Sequence, residues 1–289
     1  MLWLIAVAGE LIFETLIALR YRRLAQGDER LALVRTAGMY IFGVFPIAVG
    51  YAVSTGIDVG RVTRDAWALI VVASLLFSIA NIWIYKAYAH IEASLYTLVS
   101  ISKSVMVVVL ASIMLHDPMS VWQWIGSVLV IGASLIFALA SYKRSRRRII
   151  TIFAGVAFVA SVVSGIATIA ERYILGVVPV GTYVLLGWGF QALILAIVVF
   201  AGGSLRALHE TSRDKHVVGI GILRGLAGIC IVYALAATQN AALIGSLMAS
   251  KVIVIAIASY IFLKERSMPR LRITLACIAT IGLLMIVIQ

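Results

Sequence analysis

Residues 85–117 read YKAYAHIEASLYTLVSISKSVMVVVLASIMLHD and residues 233–265 read YALAATQNAALIGSLMASKVIVIAIASYIFLKE; set one above the other, they align without a gap. Tyr85 meets Tyr233, Ala89 meets Ala237, Ala93 meets Ala241, Leu95 meets Leu243, Ile113 meets Ile261 and Leu115 meets Leu263. A chain rich in alanine and leucine produces some such matches by composition alone. It does not readily place Ser102-Lys103 opposite Ser250-Lys251, each pair in the middle of an apolar run. A second match, IALRY at 17–21 with IAERY at 169–173, pairs Arg20 with Arg172 and Tyr21 with Tyr173. The second half of the chain thus repeats the first.

The matched stretches sit in a chain of 289 residues that is 63% hydrophobic and 12% charged. A water-soluble core cannot hide that much apolar surface, so the expected solvent is lipid. Apolar runs of about 18 to 25 residues alternate with short basic clusters, the pattern of spans and loops. The spans are read at 2–20, 36–54, 66–87, 92–115, 120–141, 149–172, 180–202, 216–237, 240–263 and 268–288. The expected fold is an all-α membrane protein of ten transmembrane helices. It divides into a first five-helix repeat over 1–141, a basic linker over 142–148 and a second five-helix repeat over 149–289, together one membrane domain. Five is odd, so the second repeat must lie upside down relative to the first, an inverted-repeat architecture. No connection exceeds about sixteen residues, which leaves function to the helix bundle itself.

The loops after spans 1, 3, 5, 7 and 9 hold about eighteen lysines and arginines, including Lys143, Arg144, Arg146, Arg147 and Arg148; the other side holds about three. By the positive-inside rule the basic side is cytoplasmic, placing both termini outside. The N-terminal stretch MLWLIAVAGELIFETLIAL has no basic leader or small-residue cleavage site and is read as a retained first helix. The net charge of +12 is carried beside hydrophobic segments, where it meets lipid headgroups; no nucleic-acid partner is expected. Cys230 and Cys277 fall inside apolar segments and are read as small core residues without a disulfide. His90, His116, His209 and His216 lie near span ends without metal-ligand spacing, and no nucleophile motif or phosphate-cradling loop occurs. No metal, cofactor or enzymatic activity is expected.

The stretch AYAHIEASLYTLVSISKSVMVVVLASIMLHDPMSVWQWIGSVLVIGASLI and its echo FLKERSMPRLRITLACIATIGLLMIVI resemble the drug/metabolite transporter superfamily of the EamA type. The likeness rests on the small-residue AxxxIEAS approach to the fourth span, the acidic residue closing it (Asp117, Glu265), and the glycine-bearing helix that follows (Gly126, Gly132, Gly282). It implies a ten-helix secondary carrier holding a small solute between the repeats, in the plasma (inner) membrane of a prokaryote. Members of that family keep both termini in the cytoplasm, the reverse of what the loop charges here indicate.

Charged side chains deep in hydrocarbon cost about 3 kcal/mol or more each, so those found there face a partner or an aqueous cavity. Five are expected at such depth: Glu10, Glu14, Lys103, Arg224 and Lys251. Repeat symmetry places Lys103 and Lys251 at equivalent depths, so that two ammonium groups converge on one anionic group, with Arg224 adding a bidentate fork. The resemblance implies the same role, since paired lysines in the fourth and ninth spans occur in the sugar-phosphate and nucleotide-sugar branches. The competing reading is a buried ion-pair network with Glu10 and Glu14. Three bases against two acids leave one positive charge over, which an anionic ligand or the loss of a proton from one lysine would remove. Glu14, four residues after Glu10, offers a second use: two close carboxylates favour proton exchange and coupling to a proton gradient.

Tyr96, Ser100 and Lys103 form one polar stripe at helical spacing, and Asn81, Tyr85 and Tyr88 another; Tyr233 repeats Tyr85. Tyr96, Asn81, Tyr85 and Tyr233 are therefore candidate substrate contacts, interhelical hydrogen bonding being the alternative. The expected partners are a small anionic or zwitterionic solute, such as a phosphorylated compound or amino acid, and membrane lipids, with a homodimer left open. Export of amphipathic drugs, lipid flipping and intramembrane lipid modification are the competing functions.

Overall fold

The computed structural model describes residues 2–25, 31–91, 96, 99–117, 119–144, 148–262 and 269–287. They form helices joined by short turns, with no strand among the described residues. In chain order the main helices are α1 (Leu2–Ala25), α2 (Ala32–Thr55), α3 (Arg64–His90), α4 (Ile101–Leu115), α5 (Val121–Arg144), α6 (Arg148–Leu175), α7 (Val180–Ala201), α8 (Lys215–Thr238), α9 in two pieces (Ala241–Ala249 and Lys251–Phe262) and α10 (Pro269–Val287). A short helix, Leu205–Thr211, lies between α7 and α8.

Helix is the only open-ended element whose backbone polar groups are all satisfied internally, which is why lipid-facing sequence adopts it. Six helices, α1, α2, α3, α6, α7 and α8, are long and apolar enough to cross a membrane. The chain is accordingly an integral multi-pass membrane protein. Its surface matches that solvent: Val128 on α5 is 66% exposed, and Ile197 and Phe200 on α7 are 56% and 67% exposed. Such bare apolar side chains are ordinary against lipid and unfavourable in water.

Two helices depart from regularity for identifiable reasons. In α2 the turn Tyr40–Val44 is π-helical, with the amide of Phe45 donating to the carbonyl of Tyr40. Pro46 follows at once and has no amide to donate, so the widened turn sits where the helical ladder is already interrupted. Helix α9, expected as one span, is interrupted at Ser250, whose amide bonds three residues back to Leu247. Lys103 likewise bonds three residues back to Ser100 at the start of α4.

Packing positions these helices closely. Helix α1 lies against α8, α3 against α6, α2 against α7, α5 against α10, and α4 against α6 and α9. Glycine permits two of the tightest crossings. A Cβ on Gly43 would lie 2.5 Å from the backbone of Gly221, joining α2 to α8, and one on Gly126 would lie 2.5 Å from the carbonyl of Gly282, joining α5 to α10. Gly132 has nothing within 4 Å of such an atom. Ser127 and Ser246 share a 2.6 Å hydrogen bond between α5 and α9.

Asp117, beyond the end of α4, accepts hydrogen bonds from the amides of Ala241 and Ala242, while Asn240 accepts from Leu243 at 2.8 Å. An anionic oxygen and an Asx cap thus satisfy the free amides that open α9 and meet its positive dipole end. Glu265, its counterpart in the repeat, lies outside the described residues, as do residues 145–147 of the expected linker. Both cysteines are free thiols, but Cys277 is exposed on α10 and so is not the core residue expected. Its helical phase turns it away from the α5 contact made by Gly282.

Candidate functional site

Eight helices, all but α5 and α10, surround one central cavity with about 180 Å³ of water-accessible space. That is roughly a dozen times the ~15 Å³ one water requires, so the cavity has room for a small solute with its hydration. Lys103, Lys251, Arg224, Glu10 and Glu14 all line it, as do Tyr96, Asn81, Ser100 and Tyr88. The charges singled out from the sequence therefore share one enclosure in an apolar bundle.

The lysines are placed by duplicated local structure. Ser102 donates its hydroxyl to the carbonyl of Val99 at 2.8 Å, and Ser250 donates to that of Leu247 at 2.7 Å. Each serine bonds three residues back, competing with the regular ladder beside the lysine. Gly165 on α6 brings that helix onto the other face of α4: a Cβ there would lie 3.3 Å from the carbonyl of Lys103.

Beyond this the lysines part company. Lys251 reaches Glu14 of α1 at 4.0 Å, with side chains 15% and 28% exposed. Among the described residues no carboxylate lies within 4.0 Å of Lys103. Its ammonium stands 6.0 Å from the centroid of the Phe77 ring, the outer limit for attraction to a π face.

Arg224 is held by neutral groups on three helices. Its Nε donates to Tyr40 at 3.1 Å, Nη1 donates to Tyr21 at 3.4 Å, and Nη2 donates to the side-chain oxygen of Asn81. Asn81 in turn donates to Tyr40, and the guanidinium lies 5.9 Å and 5.7 Å from the Tyr21 and Tyr40 ring centroids. Its planar fork is thus largely committed to tying α8 to α1, α2 and α3. The bidentate ligand fork expected of Arg224 is largely spent in this geometry.

Tyr85 does not line the cavity. It is fully buried, accepts a 3.0 Å hydrogen bond from Arg35 and packs edge-on against Tyr21. Tyr233, its repeat counterpart, is 37% exposed and also lies off the cavity. Neither residue makes the cavity contact expected of it: Tyr85 is held by Arg35 and packed against Tyr21, and α8 presents Tyr233 on the face opposite Arg224 and Ile231. Tyr96 does line the cavity, its ring centroid 4.1 Å from that of Tyr88 and tilted by 36° to it.

One charged residue went unnoticed in the sequence. Glu171 of α6 is 6% exposed, lines the cavity and accepts a 2.8 Å hydrogen bond from Tyr183. A signal for it existed: Ser161, Ser164, Thr168 and Glu171 recur at three- and four-residue intervals, a polar stripe on one face of α6, and all four line the cavity. Glu171 corrects the charge count. The cavity holds three bases, Lys103, Lys251 and Arg224, and three acids, Glu10, Glu14 and Glu171, so no positive surplus remains. Glu10 is 6% exposed, and its Oε2 has no hydrogen-bond partner among the described residues. No cluster of three metal-ligating side chains occurs among the described residues.

No protein-family model matches the chain, and no curated protein matches it in sequence. A solved structure described as "Crystal structure of protein" is similar over 98% of this chain and 96% of its own length, with 12% sequence identity and a TM-score of 0.65. At that identity the likeness shows a shared fold and nothing of activity.

Proposed function

We propose that the chain is a secondary transporter that moves a small anionic or zwitterionic solute across the membrane by alternating access. In this reading it has ten spans in two inverted five-helix repeats, and the central cavity is the solute site. The observation that carries the reading is the convergence of six ionisable side chains from both halves on one enclosure inside an apolar bundle. Charged side chains inside a membrane are costly, face one another or an aqueous cavity, and mark solute or ion pathways.

The helix contacts support the repeat. Under exchange of the two halves the α1–α8 contact maps onto α6–α3, while α2–α7, α4–α9 and α5–α10 map onto themselves; all five contacts occur. The recurring hydrogen bonds of Ser102 and Ser250 support it again. A midplane site between inverted repeats is the arrangement in which rocking one half against the other exposes a solute to each side in turn. The resemblance to EamA-type drug/metabolite transporters agrees with this reading; a plasma-membrane location with the basic loops cytoplasmic is part of the proposal.

A second reading draws on the aromatic lining, which includes Tyr21, Tyr40, Phe77, Tyr88, Tyr96 and Trp188. Such walls suit an amphipathic compound, and an exporter of such compounds or a lipid flippase would use them. Uptake into proteoliposomes decides between the two. The primary reading expects saturable movement of polar metabolites; movement of amphipathic dyes or labelled lipids alone replaces it with the second.

A further inference from the structure

We propose that the cavity selects a zwitterion, receiving its anionic group on Lys103 and its cationic group on Glu10, in preference to a phosphorylated or otherwise net-anionic solute. The proposal rests on the transport reading above and narrows its substrate class.

The charge balance comes first. With three bases and three acids lining it, the cavity is formally neutral. A solute of net negative charge would leave that charge uncompensated in a low-dielectric enclosure, whereas a zwitterion brings no net charge.

The pairing pattern comes second. Lys251 has Glu14, Arg224 has Tyr40, Tyr21 and Asn81, and Glu171 has Tyr183. Lys103 and Glu10 remain, one of each sign. Among the described residues the first has no carboxylate within 4.0 Å and the second has a buried carboxylate oxygen without a donor. They stand on different helices, α4 and α1, and line the same enclosure. A buried carboxylate oxygen without a donor is costly. An ammonium group supplies that donor, and Lys103 supplies three for a carboxylate. A proton on Glu10 is the alternative occupant, and Glu10→Gln mimics it.

The test uses detergent-purified full-length protein and reads the thermal midpoint against matched probes: the standard amino acids, their N-acetyl derivatives (anionic group only), their methyl esters (cationic group only) and hexose 6-phosphates. At least one amino acid should stabilise the protein, while its N-acetyl and ester forms fail to do so at equal concentration. Glu10→Gln should weaken that amino acid about tenfold or more and favour the N-acetyl form relative to wild type; Lys103→Met should favour the ester. The inference is overturned if no amino acid stabilises wild type, if hexose phosphates do so instead, or if Glu10→Gln binds the amino acid as wild type does. The wild-type panel decides even where a variant does not fold. Counterflow in proteoliposomes separates this from the transport reading. Hexose phosphate that binds and crosses sinks only the zwitterion. An amino acid that binds with the expected variant pattern but is never moved sinks only transport.

Discussion

The two halves of this protein carry the same Ser-Lys pair with the same serine hydrogen bond and surround it differently. In the second half Lys251 faces Glu14, and one turn earlier on α1 stands Glu10. In the first half Lys103 faces the Phe77 ring, and its nearest acidic helix, α6, carries Glu171 engaged by Tyr183. The helices opposite explain the difference. On the alignment of 17–21 with 169–173, Glu14 falls opposite Ile166 and Glu171 opposite Leu19, so each half sends its acid in from a different height. Arg224 adds a further asymmetry, since the first half has Leu76 at its position. The same serine hydrogen bond precedes each lysine, and the residues of the facing helices decide which lysine has a carboxylate partner; on the transport proposal the other is left for the solute.

Breaking this asymmetry should have graded effects. The largest is expected from Lys103→Met, which removes the unpaired cation: proteoliposome uptake should fall about thirtyfold or more, as for truncating one partner of a buried charge contact, with the thermal midpoint little changed. Arg224→Met should act on stability instead. It leaves Tyr21 and the side-chain oxygen of Asn81 without their Arg224 donor, Tyr40 keeping that of Asn81, at a cost of about 2–4 kcal/mol, read as a lower midpoint in thermal melts.

A double-mutant cycle sharpens the comparison. Lys251→Met and Glu14→Gln should each destabilise, and their combination should cost less than the sum by about 1 kcal/mol or less, the pair being partly exposed and at the limit of contact. The same cycle on Lys103 and Glu171 should give a smaller coupling. The smallest effects concern the tyrosines that align in sequence. Tyr85→Phe forfeits the Arg35 hydrogen bond and should lose about 1 kcal/mol of stability without altering uptake, while Tyr233→Phe should change neither by more than about 0.5 kcal/mol.

Much of the bundle was legible because lipid imposes strict terms: apolar runs had to be helices, and the Ser-Lys repeat announced itself in the chain. Lys103, Lys251, Arg224, Glu10 and Glu14 were legible for the same reason, since each stands out in an apolar run. What escaped depends on rotation and on partners far along the chain. Tyr85 and Tyr233 align in sequence, yet the sequence does not say where their helical faces turn. Glu171 was hidden beside Arg172, where it reads as part of a loop charge cluster, and its burial depends on a tyrosine twelve residues later on another helix. The commitment of Arg224 to Tyr21 and Tyr40 joins residues more than 180 positions apart. No local pattern encodes it.

The central claim is that this cavity carries a solute through the membrane by way of its unpaired lysine, and counterflow tests it most directly. Proteoliposomes preloaded with an unlabelled amino acid that stabilises the purified protein should transiently accumulate the labelled form above equilibrium, and liposomes bearing Lys103→Met should not. Labelled solute entering no faster than into protein-free liposomes, or entering equally well through Lys103→Met, would contradict it.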